Sequence, residues 1–147
     1  MDRREAILVR LLEILQGLGV ATVARNVVAL DDLDLPAIVL LDGDEQAFEA
    51  DIPTAGQPNT RFTRMTMLPE IVIKVGLNPE SCGTALNAAR AMILKAVKTD
   101  ATLAGLHTPA GHVHPMGAST ALGYGRTGLG ECALIVAVTY PLRPDEL

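Results

Sequence analysis

The segment Glu131–Tyr140 constrains this chain more than any other. Cys132, Leu134, Val136, Val138 and Tyr140 alternate with Ala133, Ile135 and Ala137, so a strand built from it is apolar on both faces. Such a strand needs neighbours on each side and belongs inside a sheet. Two segments have the opposite character, with one apolar stripe at helical spacing. Over residues 3–17 the stripe is Ile7, Leu8, Leu11, Leu15 and Leu18, widened by Leu12 and Ile14. Asp2 caps this helix, and Gly17 and Gly19 end it. Over residues 85–99 the stripe is Leu86, Ala89, Ile93, Ala96 and Val97, after the helix-start signal Asn78-Pro79-Glu80-Ser81. Helices with one stripe each pack on one face of a sheet.

The remaining segments complete the sheet. Residues 20–30 are rich in β-branched types and read as a strand, with Arg25-Asn26 inside it or at a bulge. Residues 36–41 form a short apolar strand that Asp42-Gly43-Asp44 ends. Residues 61–75 alternate, and Pro69 within them marks a bulge or an edge position. Between the last two strands, residues 44–60 lose periodicity and form a long acidic hairpin loop. Thr102–Leu106 is a short helical turn, and the Gly-rich stretch 108–130 is an irregular loop with room for a hairpin. The expected fold is α+β: a single domain over 1–147, with a mainly antiparallel sheet and two helices on one face, in the order α-β-β-β-α-β.

Composition removes several classes of function. No apolar run approaches the roughly 18–20 residues of a membrane span, and Arg10 and Glu13 interrupt the first helix where a signal peptide would be apolar. Two cysteines, Cys82 and Cys132, make no disulfide framework, and a reducing compartment is expected. A net charge of −5 and an aromatic content of 3% argue against nucleic-acid recognition. The charge is also unevenly placed. Residues 26–60 contain eight acidic residues and no Lys or Arg, whereas 61–98 contain six basic residues against two acidic ones. This reads either as a solvated acidic loop beside an ordinary strand and helix, or as two complementary edges through which copies meet head to tail.

Motifs for chemistry are weak. Gly123, Gly125 and Gly128 match a dinucleotide-binding spacing, but the 17 residues after Gly130 leave no room for the helix that would receive a pyrophosphate. His112 and His114, with His107 nearby, are the one metal-like grouping, and a solvated loop with histidines is the preferred reading. Cys82, Ser81 and Ser119 lack an activating partner motif. A non-enzyme without cofactor or metal is expected.

The order of segments resembles the tail-terminator, or tail-completion, proteins of long-tailed bacteriophages and tail-like particles. The resemblance lies in the leading helix, Val-Ala-Arg25-Asn26-Val, the strand from Pro36 to Glu45, the strand ending Glu70-Ile-Val-Ile-Lys-Val, the helix 85–98 with Thr-Asp-Ala-Thr-Leu-Ala-Gly105-Leu after it, and the terminal strand from Gly130 to Tyr140. Where family members commonly carry aromatic residues before the final strand, this chain has His112-Val-His114-Pro. The resemblance implies a homo-oligomeric ring, usually a hexamer, in the virion tail after assembly in the host cytoplasm. The ring would cap the tail tube, end its polymerisation and offer a surface to the head-tail connector, with no nucleic-acid or membrane partner. Arg25, Glu45, Arg61, Arg64 and Arg126 are the expected interface residues. Two alternatives stand beside it: a head-to-tail connector of the same particle, and a small cytosolic ligand-binding or metal-dependent domain using His107, His112 and His114.

Overall fold

The computed structural model describes residues 1–19, 21–27, 34–48, 51–52, 56, 63–76, 79–107, 112–122 and 130–147. The fold is α+β. Helices α1 (Arg3–Gly17), α2 (Pro79–Thr99) and α3 (Ala101–His107) accompany strands β1 (Thr22–Arg25), β2 (Ala37–Ala47), β3 (Arg64–Val75), β4 (His112–Leu122) and β5 (Gly130–Pro141). The strands form one sheet in the order β1-β2-β3-β5-β4. All pairs are antiparallel except β1 with β2. As its two apolar faces require, β5 is paired on both sides, with β3 and with β4.

The core lies between the helices and one face of this sheet. Ile7, Leu8, Leu11, Ile14 and Leu15 of α1, Leu86, Ile93 and Val97 of α2 and Leu103 of α3 are buried against Ile38, Leu40, Ile71, Ile73, Leu134, Val136 and Val138. These strand residues share a face by register: Ile73 opposes Ile38 and Cys132, and Ile71 opposes Leu40 and Leu134. The helical stripes expected from periodicity are the ones that are buried. Asp2 caps α1 by accepting from the Arg4 backbone N–H at 3.3 Å.

The chain departs from expectation in four places. β2 does not stop at Asp42-Gly43-Asp44 but runs to Ala47, which moves residues 44–47 out of the loop and into the sheet. The turn chemistry is spent on a bulge. The pairing shifts by one residue between Leu41 and Asp44, and Gly43 has φ +70. Pro69 lies across from that bulge, where β2 is irregular and a missing N–H matters least. Second, β1 ends at Arg25, and Asn26 takes φ 54, a left-handed conformation that Asn tolerates. Third, the short helical turn expected at Thr102–Leu106 is present but longer, as α3 (Ala101–His107), which Asp100 caps by accepting from the Leu103 N–H at 2.6 Å. Fourth, residues 112–122 of the Gly-rich stretch form β4, an edge strand. The remainder of both expected loops lies outside the described residues, apart from Phe48, Asp51, Ile52, Gly56 and Gly130, which begins β5, and neither Arg61 nor Arg126 is described.

Candidate functional site

The sheet has two edges, and the residues that distinguish them are the best candidates for function. At the β1 edge, Arg25 points to the helix side and sits between α1 and β2. Its guanidinium donates Nη1 and Nη2 to the two Glu5 oxygens at 2.8 and 2.9 Å, and Nε and Nη2 to the two Asp42 oxygens at 2.7 and 2.9 Å. One planar cation thus serves two carboxylates in paired fashion. The hydrogen bonds from Arg25 hold both the Glu5 and the Asp42 carboxyls below their ordinary pKa, against the opposing effect of burial. The bulge supplies the geometry: Asn26 Oδ1 accepts from the Asp42 N–H at 3.1 Å, and Arg4 donates to the Gly43 carbonyl at 3.2 Å. Beyond the bulge, Glu45 accepts from the Tyr140 hydroxyl and lies 3.8 Å from Arg4. Partial burial pushes the Glu45 carboxyl above its ordinary pKa, and Arg4 pulls it the other way.

The hairpin base is tied in the same manner. Arg64 donates Nε and Nη2 to the two Asp51 oxygens at 2.7 and 2.8 Å and its backbone N–H to the same carboxylate at 3.0 Å. Its guanidinium also stacks over Phe48, 4.2 Å from the ring centre.

The β4 edge is different. Among its residues from His112 to Ala121, Val113 and Pro115 are half-buried and all the others are exposed. Its inner side pairs with β5, and its outer side has no strand partner among the described residues. A bulge at Met116 separates two straight stretches, and the pairing then runs without a break from Gly117 to Leu122. Met116 is 60% exposed, and Ile135, the β5 partner of Gly117, is 39% exposed. Small side chains (Gly117, Ala118, Ser119, Thr120, Ala121) leave the backbone of this stretch accessible.

A third feature is an apolar groove of about 500 Å³ at the opposite end of the sheet from the Arg25 cluster. Ile38, Ile73 and Val75 line it from the sheet and Ala85, Ala88 and Ala89 from α2. The alanines keep that flank of α2 thin, which leaves the space.

Of the expected interface residues, Arg25, Glu45 and Arg64 are therefore all engaged within the chain. The sequence reading lacked their tertiary partners: Glu5 lies twenty positions from Arg25, Asp51 thirteen from Arg64, and Tyr140 ninety-five from Glu45. His112 and His114 lie on β4, while His107 ends α3, and no group of three His, Cys, Asp or Glu among the described residues is placed to hold a metal. Cys82 and Cys132 are free and buried in the core. No helix among the described residues is long and apolar enough to cross a membrane. The residue that sequence reasoning passed over is Met116, whose exposure follows from the bulge. No protein-family model matches this chain, and no curated protein resembles it in sequence.

Proposed function

We propose that this chain is the subunit of a ring that caps the tail tube of a phage-like particle, ends tube growth and presents a surface for head attachment. The observation that carries the reading is the pair of unlike sheet edges: β4 is long and exposed, with no strand on its outer side among the described residues, whereas β1 is four residues long and has the internally paired Arg25 cluster beside it. A bare strand edge is a template for another chain. When it meets a different surface of the next copy, the contact is head-to-tail and closes into a ring if the rotation allows. The resemblance of its segment order to tail terminators suggests the ring's proposed work: it covers an exposed polymer end and needs no chemistry to do so.

The internal pairing of Arg25, Glu45 and Arg64 changes the kind of ring to expect. Association then rests on the backbone edge and apolar contact near Met116 and Ile135, which salt screens weakly, rather than on exposed ion pairs. The test is solution mass by light scattering, alone and with purified tail tubes, at low and high ionic strength. A closed oligomer that persists in high salt and is lost in the Ser119→Lys/Ala121→Lys variant supports the reading. A monomer in every condition that leaves tubes uncapped overturns it, and binding to emptied heads in place of tubes points to the connector role.

A further inference from the structure

We infer that His112 and His114 form a two-imidazole clamp for a borderline divalent cation such as Zn²⁺, Ni²⁺ or Cu²⁺ on the exposed edge of the sheet. This inference does not rest on the ring reading. His112 pairs with Thr139 and His114 with Ala137, so the two histidines occupy alternate positions of one strand and stand on the same face. Alternate strand residues are about 7 Å apart along the backbone. A cation held at about 2.0–2.1 Å from each nitrogen needs the two rings to lean together over that span, as an imidazole side chain has the length to do.

Three observations make the pair more than two solvated side chains. The strand is anchored from behind: Val113, between the histidines, packs against the core, and Pro115 beyond them is half-buried, so the spacing of the clamp is fixed. The neighbours across the ladder do not compete for the ion. Ala137 is small, and the Thr139 hydroxyl is engaged with Thr66 at 3.1 Å. Finally, both imidazoles are exposed, and among the described residues neither has a hydrogen-bond or ion-pair partner for a cation to displace. Imidazole nitrogens suit Zn²⁺, Ni²⁺ and Cu²⁺, whereas Mg²⁺ and Ca²⁺ require oxygen ligands, which a pair of imidazoles does not supply. Water completes the coordination. His107, on α3, is outside the clamp.

The test uses the intact chain. Calorimetric titration with Zn²⁺ is expected to show saturable uptake of one ion per chain, and Mg²⁺ is expected to show none. His112→Ala and His114→Ala should each abolish saturation, while His107→Ala leaves it unchanged. Because both histidines are exposed, the variants should keep the wild-type circular dichroism. Loading with Cu²⁺ adds a direct readout: the spin-resonance spectrum should show coupling to two nitrogens in the wild type and to one in either single variant. The inference is overturned if Zn²⁺ uptake is absent, if it survives replacement of both histidines, or if Cu²⁺ couples to fewer than two nitrogens in the wild type.

Discussion

The two edges of the sheet are built by opposite means. At the β1 edge the charged side chains find partners inside the chain: Arg25 with Glu5 and Asp42, and Arg4 with the Gly43 carbonyl, while Asn26 accepts from the Asp42 N–H. The strand is short, and the bulge in β2 beside it absorbs an extra residue. β4 is nearly three times as long, and its outer side has no strand partner among the described residues. Its protective devices, Pro115 and the bulge at Met116, fall in the first half and leave Gly117–Leu122 straight. An edge of four residues with its charged neighbours already paired offers a partner little backbone. An edge of small residues with open backbone is a liability for a solitary chain, and it makes sense if another chain covers it. The contrast favours β4 as the place for the proposed association, away from the charged residues that the sequence first brings to notice.

The comparison breaks most readily at Gly43. A Cβ there would run into the Leu68 carbonyl of β3, and φ +70 disfavours any β-branched residue. Gly43→Val should destabilise the chain by about 3 kcal/mol or more in urea unfolding, because the bulge that presents Asp42 to Arg25 cannot form. Arg25→Met comes next. It leaves the Glu5 and Asp42 carboxylates facing one another without their shared cation, with an expected loss of about 2 kcal/mol. Partial exposure of Glu5 keeps the loss from being larger. At the other edge, Ser119→Lys/Ala121→Lys should change the stability of the isolated subunit by no more than about 0.5 kcal/mol, since both positions are exposed. If that variant unfolds the subunit, β4 is a core element and the contrast between edges fails.

What the sequence discloses follows the strength of burial. The stripes of α1 and α2 and the two apolar faces of β5 are legible because each is buried and periodic. Pro69 is read as a mark of irregularity, and the bulge lies opposite it. β4 is missed for the same physical reason that makes it a candidate site: an exposed edge strand has few buried positions, and Val113 and Pro115 alone write no alternation. The continuation of β2 is hidden because Asp-Gly-Asp serves a bulge as well as it serves a turn. The charged residues are conspicuous along the chain, yet Arg25, Glu45 and Arg64 take partners far away in sequence, and that information belongs to the tertiary fold alone.

The finest test of the contrast is its pH dependence. In the unfolded chain Glu5 and Asp42 titrate at ordinary carboxylate values, near 4.5 and 3.8, and in the fold Arg25 holds both lower. The folded state therefore binds fewer protons there, and the resulting stability is complete above the unfolded values and lost as pH falls through them towards the folded ones. Asp100, held low by Arg10, and Glu146, held low by Arg3, contribute with the same sign. Glu45 has the opposite sign: its raised value favours the fold when it is protonated, a contribution present below 4.5 and lost as pH rises through the folded value. Urea unfolding between pH 6 and about 3 should thus show wild-type stability falling on acidification, and falling less in Arg25→Met, where Asp100 and Glu146 still titrate but the Arg25 cluster no longer does. Parallel curves for the two proteins would mean that Arg25 leaves the carboxylates beside it unstabilised, and the contrast between a charge-paired edge and a bare one would fail.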